Sequence, residues 1–142
     1  MIMSALVDYF QSFLDEHKND NTILNVNFLG EMGNFSIEEI PSETLIKTYI
    51  NGASIKKYDF ILASKEFFGE DKMQNLENSV FYEEIEEWVE EQNAKRHFPI
   101  INDDMIVQSI KPLTKGYCLK RENDSMRFQI DLEITYFKKF KF

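Results

Sequence analysis

One cysteine and two histidines are the side chains in this chain best suited to nucleophilic or ligand chemistry, and their surroundings decide what they can do. A nucleophile needs a base and an orienting group that converge on it in space. Cys118 with His97 is the pair that could supply the first two. Cys118, however, stands in Gly-Tyr-Cys-Leu-Lys, without the local signature of a cysteine nucleophile, and His97 sits in the charged run Ala-Lys-Arg-His-Phe. A packed cysteine and a surface histidine are the simpler expectation. His17 falls at the end of an amphipathic segment, on its apolar side, where it can cap carbonyls or pack.

The acidic groups are numerous but poorly arranged for catalysis or metal binding. Asn102, Asp103 and Asp104 form too short a run for a calcium loop, lacking its glycine and its distal glutamate. The five glycines never cluster, so no phosphate-cradling loop is expected. With 25 acidic against 16 basic residues the net charge is −9, which repels nucleic-acid phosphates unless the basic groups are segregated. These features predict no catalytic residue, no metal ligand, no cofactor and no sequence-specific nucleic-acid binding.

The elements that would carry any site are easier to read. In SVFYEEIEEWVEEQ, residues 79 to 92, Phe81, Tyr82, Ile85, Trp88 and Val89 form one helical stripe. Glu83, Glu84, Glu86, Glu87, Glu90 and Glu91 point away from it, as a solvated face or as negative charge meeting a basic partner. Met73, Leu76 and Val80 also keep helical spacing but extrapolate to the glutamate side. Two arrangements satisfy this: a short helix that stops and restarts at an Asn78 or Ser79 N-cap, or one long helix with a second apolar patch facing another subunit.

Ile2, Leu6, Phe10, Phe13 and Leu14 predict a first helix over about the first 17 residues. ILNVNFL, residues 23 to 29, and FSIEEI, residues 35 to 40, read as a hairpin, with Pro41 ending the second strand. Asn51-Gly52 predicts another hairpin between the β-rich flanks at 45–50 and 54–64, with Tyr58, Phe60 and Leu62 on one face. Phe98-Pro99 closes the helical region, Asn102 to Asp104 is a turn, 105–113 is a strand, and 114–121 is a loop or irregular strand around Gly116. In the last strand Met126, Phe128, Ile130, Leu132, Ile134 and Tyr136 share a core face. Arg127, Gln129, Asp131, Glu133 and Thr135 share the other, which is wet or touches a partner.

Together these elements predict an α+β fold: a largely antiparallel sheet of five or six strands, in two layers, packed by two main helices. A length of 142 residues suits a single domain, 1–142, with a real core. The lone cysteine suits a reducing compartment. The N-terminus has no signal-peptide pattern and no run is long enough to span a bilayer, so a soluble protein is expected.

Several strings, in order along nearly the whole chain, resemble a family of tailed-phage and phage-like-particle proteins of clostridial and bacillus type, described as minor capsid or tail terminator proteins. They are Asn27-Phe28-Leu29-Gly30; Ile46-Lys47 with Tyr49 and Gly52; Ser64-Lys65-Glu66 leading to Gly69; Asn75; and Glu77-Asn78-Ser79 with Phe81-Tyr82-Glu83. Trp88 with Gln92-Asn93, Pro99, Gly116-Tyr117 and Phe128-Gln129-Ile130 followed by Tyr136 continue the series. Where such proteins often carry a glycine before Leu-Pro, this chain has Arg96-His97-Phe98-Pro99, and its end is more basic.

The resemblance implies a structural, non-enzymatic virion protein assembled in the bacterial cytoplasm. It would close into a homo-oligomeric, hexameric ring at the head-proximal end of a bacteriophage tail tube or of a phage-tail-like bacteriocin. Its partners would be copies of itself, the tail tube protein, and a head connector or sheath protein, with no membrane. Ring closure needs a heterologous contact, for which Met73, Leu76 and Val80 on one side and Lys138, Lys139 and Lys141 on the other are the candidate residues. The alternatives are a head-completion or connector protein for head–tail joining and, from other classes, a small regulatory or ligand-binding module or a Cys118–His97 enzyme.

Overall fold

A computed structural model describes residues 2–17, 24–27, 34–67, 72–122 and 125–140. In chain order the elements are α1 (Ile2–His17), β1 (Leu24–Val26), β2 (Phe35–Thr48), β3 (Ser54–Phe67) and α2 (Lys72–Lys95). They continue with β4 (Ile100–Asn102), β5 (Met105–Pro112), β6 (Tyr117–Glu122) and β7 (Ser125–Lys138). The fold is α+β, with two helices and a curled mixed sheet. Among the described residues the sheet has seven strands in the order β1-β2-β3-β7-β5-β4, and β6 also pairs with β7.

The axis of the sheet is the pairing of β3 with β7, in continuous antiparallel register from Ser54 opposite Lys138 to Phe67 opposite Ser125. Strict alternation along β7 makes one of its faces wholly apolar. Ile130, Leu132 and Ile134 are fully buried there. Met3, Leu6, Phe10, Phe13 and Leu14 of α1 and Phe81, Tyr82, Ile85 and Val89 of α2 join them in one core. Trp88 lies where the helices meet, its ring 5.0 Å from those of both Tyr9 and Phe13. The predicted stripe is therefore the buried one.

Four local points are decided by the structure: the first and last were open between two readings, and the second and third need correction. First, α2 is one helix of 24 residues with no restart at Asn78 or Ser79. Second, β1 and β2 do not form a hairpin: they pair in parallel, Leu24 opposite Phe35. A parallel pair usually needs a long crossover; here β1 spans only three residues, so the chain has little distance to return. Asn27, at φ 54, ends β1, and its Oδ1 accepts the Glu39 amide.

Third, Pro41 does not end a strand. β2 runs through it, with a register shift between Glu39 and Glu43 against β3. Proline has no amide hydrogen to donate and is tolerated at such a bulge. Fourth, of the two readings of 114–121 the irregular strand is the one that forms: β6 covers 117–122, with a shift between Cys118 and Lys120. It follows β5 along the same side of β7. Where one hands over to the other, the Asp131 carbonyl accepts the Leu113 amide and the Asp131 amide donates to Thr114 Oγ1.

The Asn51-Gly52 turn forms as expected. Tyr49 N–H donates to Ala53 O, Gly52 N–H donates to Tyr49 O, and Gly52 takes a φ of 89°. α2 ends in a Schellman motif: His97 N–H donates to Gln92 O and Arg96 N–H to Asn93 O. Arg96, at φ 59, holds the left-handed position that glycine usually fills in this motif.

Candidate assembly surface

The residues with possible chemistry are dispersed. His17 Nδ1 lies 3.0 Å from Phe13 O and its ring stacks on Phe13 at 4.1 Å, so it both caps and packs. His97 is exposed just beyond α2, where its carbonyl accepts the Tyr9 hydroxyl at 2.6 Å. Cys118 is half-buried on β6, packed against the core. In the 102–104 turn the Asn102 side chain accepts the Asp104 amide, a local turn bond. Among the described residues no group of three or more His, Cys, Asp or Glu is placed to hold a metal ion.

The face of β7 turned away from the helices is not simply wet, as alternation alone suggests. Gln129 is 3% exposed and Glu133 6%. A polar chain crosses this face. Arg127 donates to both carboxylate oxygens of Glu38, at 2.8 and 2.7 Å, and through Nε to Gln129 Oε1. Gln129 Nε2 donates to the Tyr117 hydroxyl, which donates to Asp131 Oδ1. Burial foremost, and the Asp131 carboxylate after it, push the Tyr117 phenol up. Glu133 lies between Lys57 and Lys111, each at 3.7 Å. Long-range pairing of this kind has no local signal.

Toward the end of β7 the same face turns apolar. Ile100 pairs with Ile106, Ile106 with Phe137, and Phe137 with Ile55, so four apolar side chains lie in register across β4, β5, β7 and β3. Partners directly opposite share a face, and Tyr136, the neighbour of Phe137, points into the core. The Tyr49 ring meets Phe137 edge-on at 6.0 Å. Ile100 is 89% exposed. At this end Tyr9, Phe98, Ile101, Met105 and Val107 line a groove of about 510 Å³, with Arg96 and His97 at its rim.

The opposite lateral edge is also apolar. Beyond the three residues paired with β1, β2 has no outer neighbour among the described residues. Leu45 and Ile46 are exposed on that stretch, and Ile50 is completely so at the turn. None of these surface residues was singled out from periodicity. An isolated exposed isoleucine carries no signal in sequence; only the register shows that several of them adjoin.

Of the residues first proposed for subunit contact, Val80 is half-exposed on α2, and Lys138 and Lys139 are exposed at the end of β7. Lys139 N–H donates to Asp104 O, which ties that end to the β4–β5 turn. The side chains of Met73 and Leu76, and Lys141 altogether, lie outside the described residues. Glu83, Glu84, Glu87, Glu90 and Glu91 are exposed along α2. Glu86, half-buried among them, is pushed up by burial first and by Glu90, Glu83 and Glu87, against Lys115. In sequence, the chain matches no known family model and no curated protein.

Proposed function

We propose that this chain is a non-catalytic structural subunit that closes into a ring with copies of itself. The observation that carries the proposal is the pair of unlike apolar features on opposite lateral edges of one sheet. The Ile100–Ile106 row and groove lie on one edge, the Leu45–Ile46–Ile50 stretch on the other. A patch that meets a different patch on the next copy makes a heterologous contact, the kind that closes rings. Contiguous exposed apolar area of this sort is a mark of interfaces.

On the resemblance described above, the ring would be a hexamer on the head-proximal rim of a phage or phage-like tail tube. There it would stop tube growth and face a head connector or sheath protein in the assembled particle. The two-layer, terminator-like reading of the fold belongs to this proposal. Native mass spectrometry of the purified chain, alone and with tail tube protein, tests it. A single ring species that binds and halts tubes is expected; a strict monomer indifferent to tubes would overturn it.

A second reading has one observation in its favour. The groove beside Tyr9 is large enough for a small apolar ligand, which suits a ligand-binding module. Stabilisation of the chain by a small molecule in a thermal-shift screen, without change in oligomeric state, would favour that reading over the ring.

A further inference from the structure

Resting on the reading that the chain assembles with itself, we infer that the Ile50 turn of one copy seats in the Tyr9–Phe98–Ile101 groove of the next. Three features of the fold lead there. The turn is rigid and presents its apolar side chain outward. Its two backbone bonds are joined by one from the Ala53 amide to Asn51 Oδ1, and Phe140 packs on Gly52 so closely that a Cβ there would meet the ring at 2.4 Å. A side chain already held in its docking position loses little freedom on binding.

Knob and hole also stand at one height. Ser54, just past the turn, is opposite Lys138, and Met105, beside the groove, is opposite the same Lys138. Both features thus lie level with the end of β7 while occupying opposite lateral edges, β2 on one side and β4 on the other. Copies set side by side in one orientation bring the turn of each to the groove of its neighbour with no rise along the strands. Pairing without rise closes a ring; a rise would build a filament.

Charge agrees with the placement. Lys47 is exposed beside the turn, its Nζ 4.9 Å from the Tyr49 ring. Asp8, next to Tyr9, and Asp103, on the β4–β5 turn, are exposed by the groove. Arg96 at the rim has the opposite sign from these aspartates, which directs an incoming lysine toward Asp103 and away from the α2 terminus. The occupant that fits is apolar at its tip and cationic at its shoulder, as this turn is.

A cross-linking experiment tests the contact. In a Cys118→Ala background, Ile50→Cys and Ile100→Cys are combined and treated with a short bis-maleimide; both side chains are exposed, so neither change opens the core. A ladder of dimer, trimer and higher species is expected, with no ladder from either single-cysteine chain. Dimers without higher species, or an intact ring with no cross-link, would overturn the inference while leaving the ring standing. A monomer by native mass spectrometry would sink both.

Ile50→Asp supplies the second arm. It should keep the circular dichroism of the parent and raise the concentration for half-assembly by roughly tenfold or more, as loss of a central anchor does. If it leaves the ring intact but abolishes capture of tail tube protein, the turn faces the tube and the groove belongs to another partner.

Discussion

The Tyr82 hydroxyl is the most consequential polar atom in the core. It is fully buried, shares a 2.7 Å bond with Ser64 Oγ, and donates to the Phe128 carbonyl at 3.0 Å, so it joins α2 to β3 and β7 at once. Its aromatic ring was legible as part of a helical stripe; its hydrogen bonds were not, because their partners lie 18 and 46 residues away. Gly116 shows the same limit. A Cβ there would meet Tyr82 Cβ at 2.4 Å, a constraint that no spacing along the chain reveals. Tyr82→Phe should lower the unfolding free energy by about 1–3 kcal/mol in urea titration, since Ser64 and Phe128 lose a buried partner. Burial first, with Glu66 adding, holds the phenol far above its ordinary value, against the Ser64 bond and Arg127. A raised value means that the folded state keeps the proton. Stability from this group is intact below about pH 10, where the unfolded phenol titrates, and above that falls by about 1.4 kcal/mol per pH unit. Phenylalanine has no proton to lose, so the gap between variant and parent should narrow as pH rises past 10; a constant gap would mean that the phenol ionises in place.

At the scale of elements, strong local periodicity was enough for α1, for the buried stripe of α2, for the Asn51-Gly52 turn and for the core face of β7. It failed where pairing decides. β6 is a strand because β7 offers it an edge, and its own short sequence has no clean alternation to separate a strand from a loop. Pro41 lies inside β2 because a bulge absorbs it, and a bulge is set by the partner strand. The parallel partner of β2 is a three-residue strand that no pattern of 2 or 3.6 can identify. The continuity of α2 was the open question in the sequence, and a proline settles it. Were a helix to restart at Ser79, Val80 would be its first residue, where proline is well tolerated. In the single helix Val80 is interior, so Val80→Pro should cost about 3 kcal/mol or more through a lost backbone bond and a clash with the preceding turn. Its side chain is half-exposed, so little of that loss can be assigned to packing. Urea denaturation with parallel circular dichroism gives the answer, and unchanged stability would restore the break.

For the whole molecule, the charge distribution decides how copies meet. Each carries a net −9, most visibly along α2, while Lys138 and Lys139 gather at the end of β7. Sequence alone leaves open a joint between those two regions, which salt would loosen. The fold points elsewhere. The lysine end adjoins the apolar row and the groove, and at the inferred contact Lys47 against Asp8 and Asp103 is the local pairing of opposite charges. There the like net charge of neighbouring copies outweighs local pairing, since surface ion pairs contribute about 0–1 kcal/mol each. Repulsion between the copies reaches about 30 Å in 0.01 M salt and about 8 Å at physiological strength. Assembly followed by light scattering should therefore strengthen as salt rises from the first condition to the second and then level off, because burial of apolar side chains is not screened. Assembly that weakens steadily over that range would put the glutamates of α2 against the lysines of a neighbour, and would move the joint away from the turn and the groove.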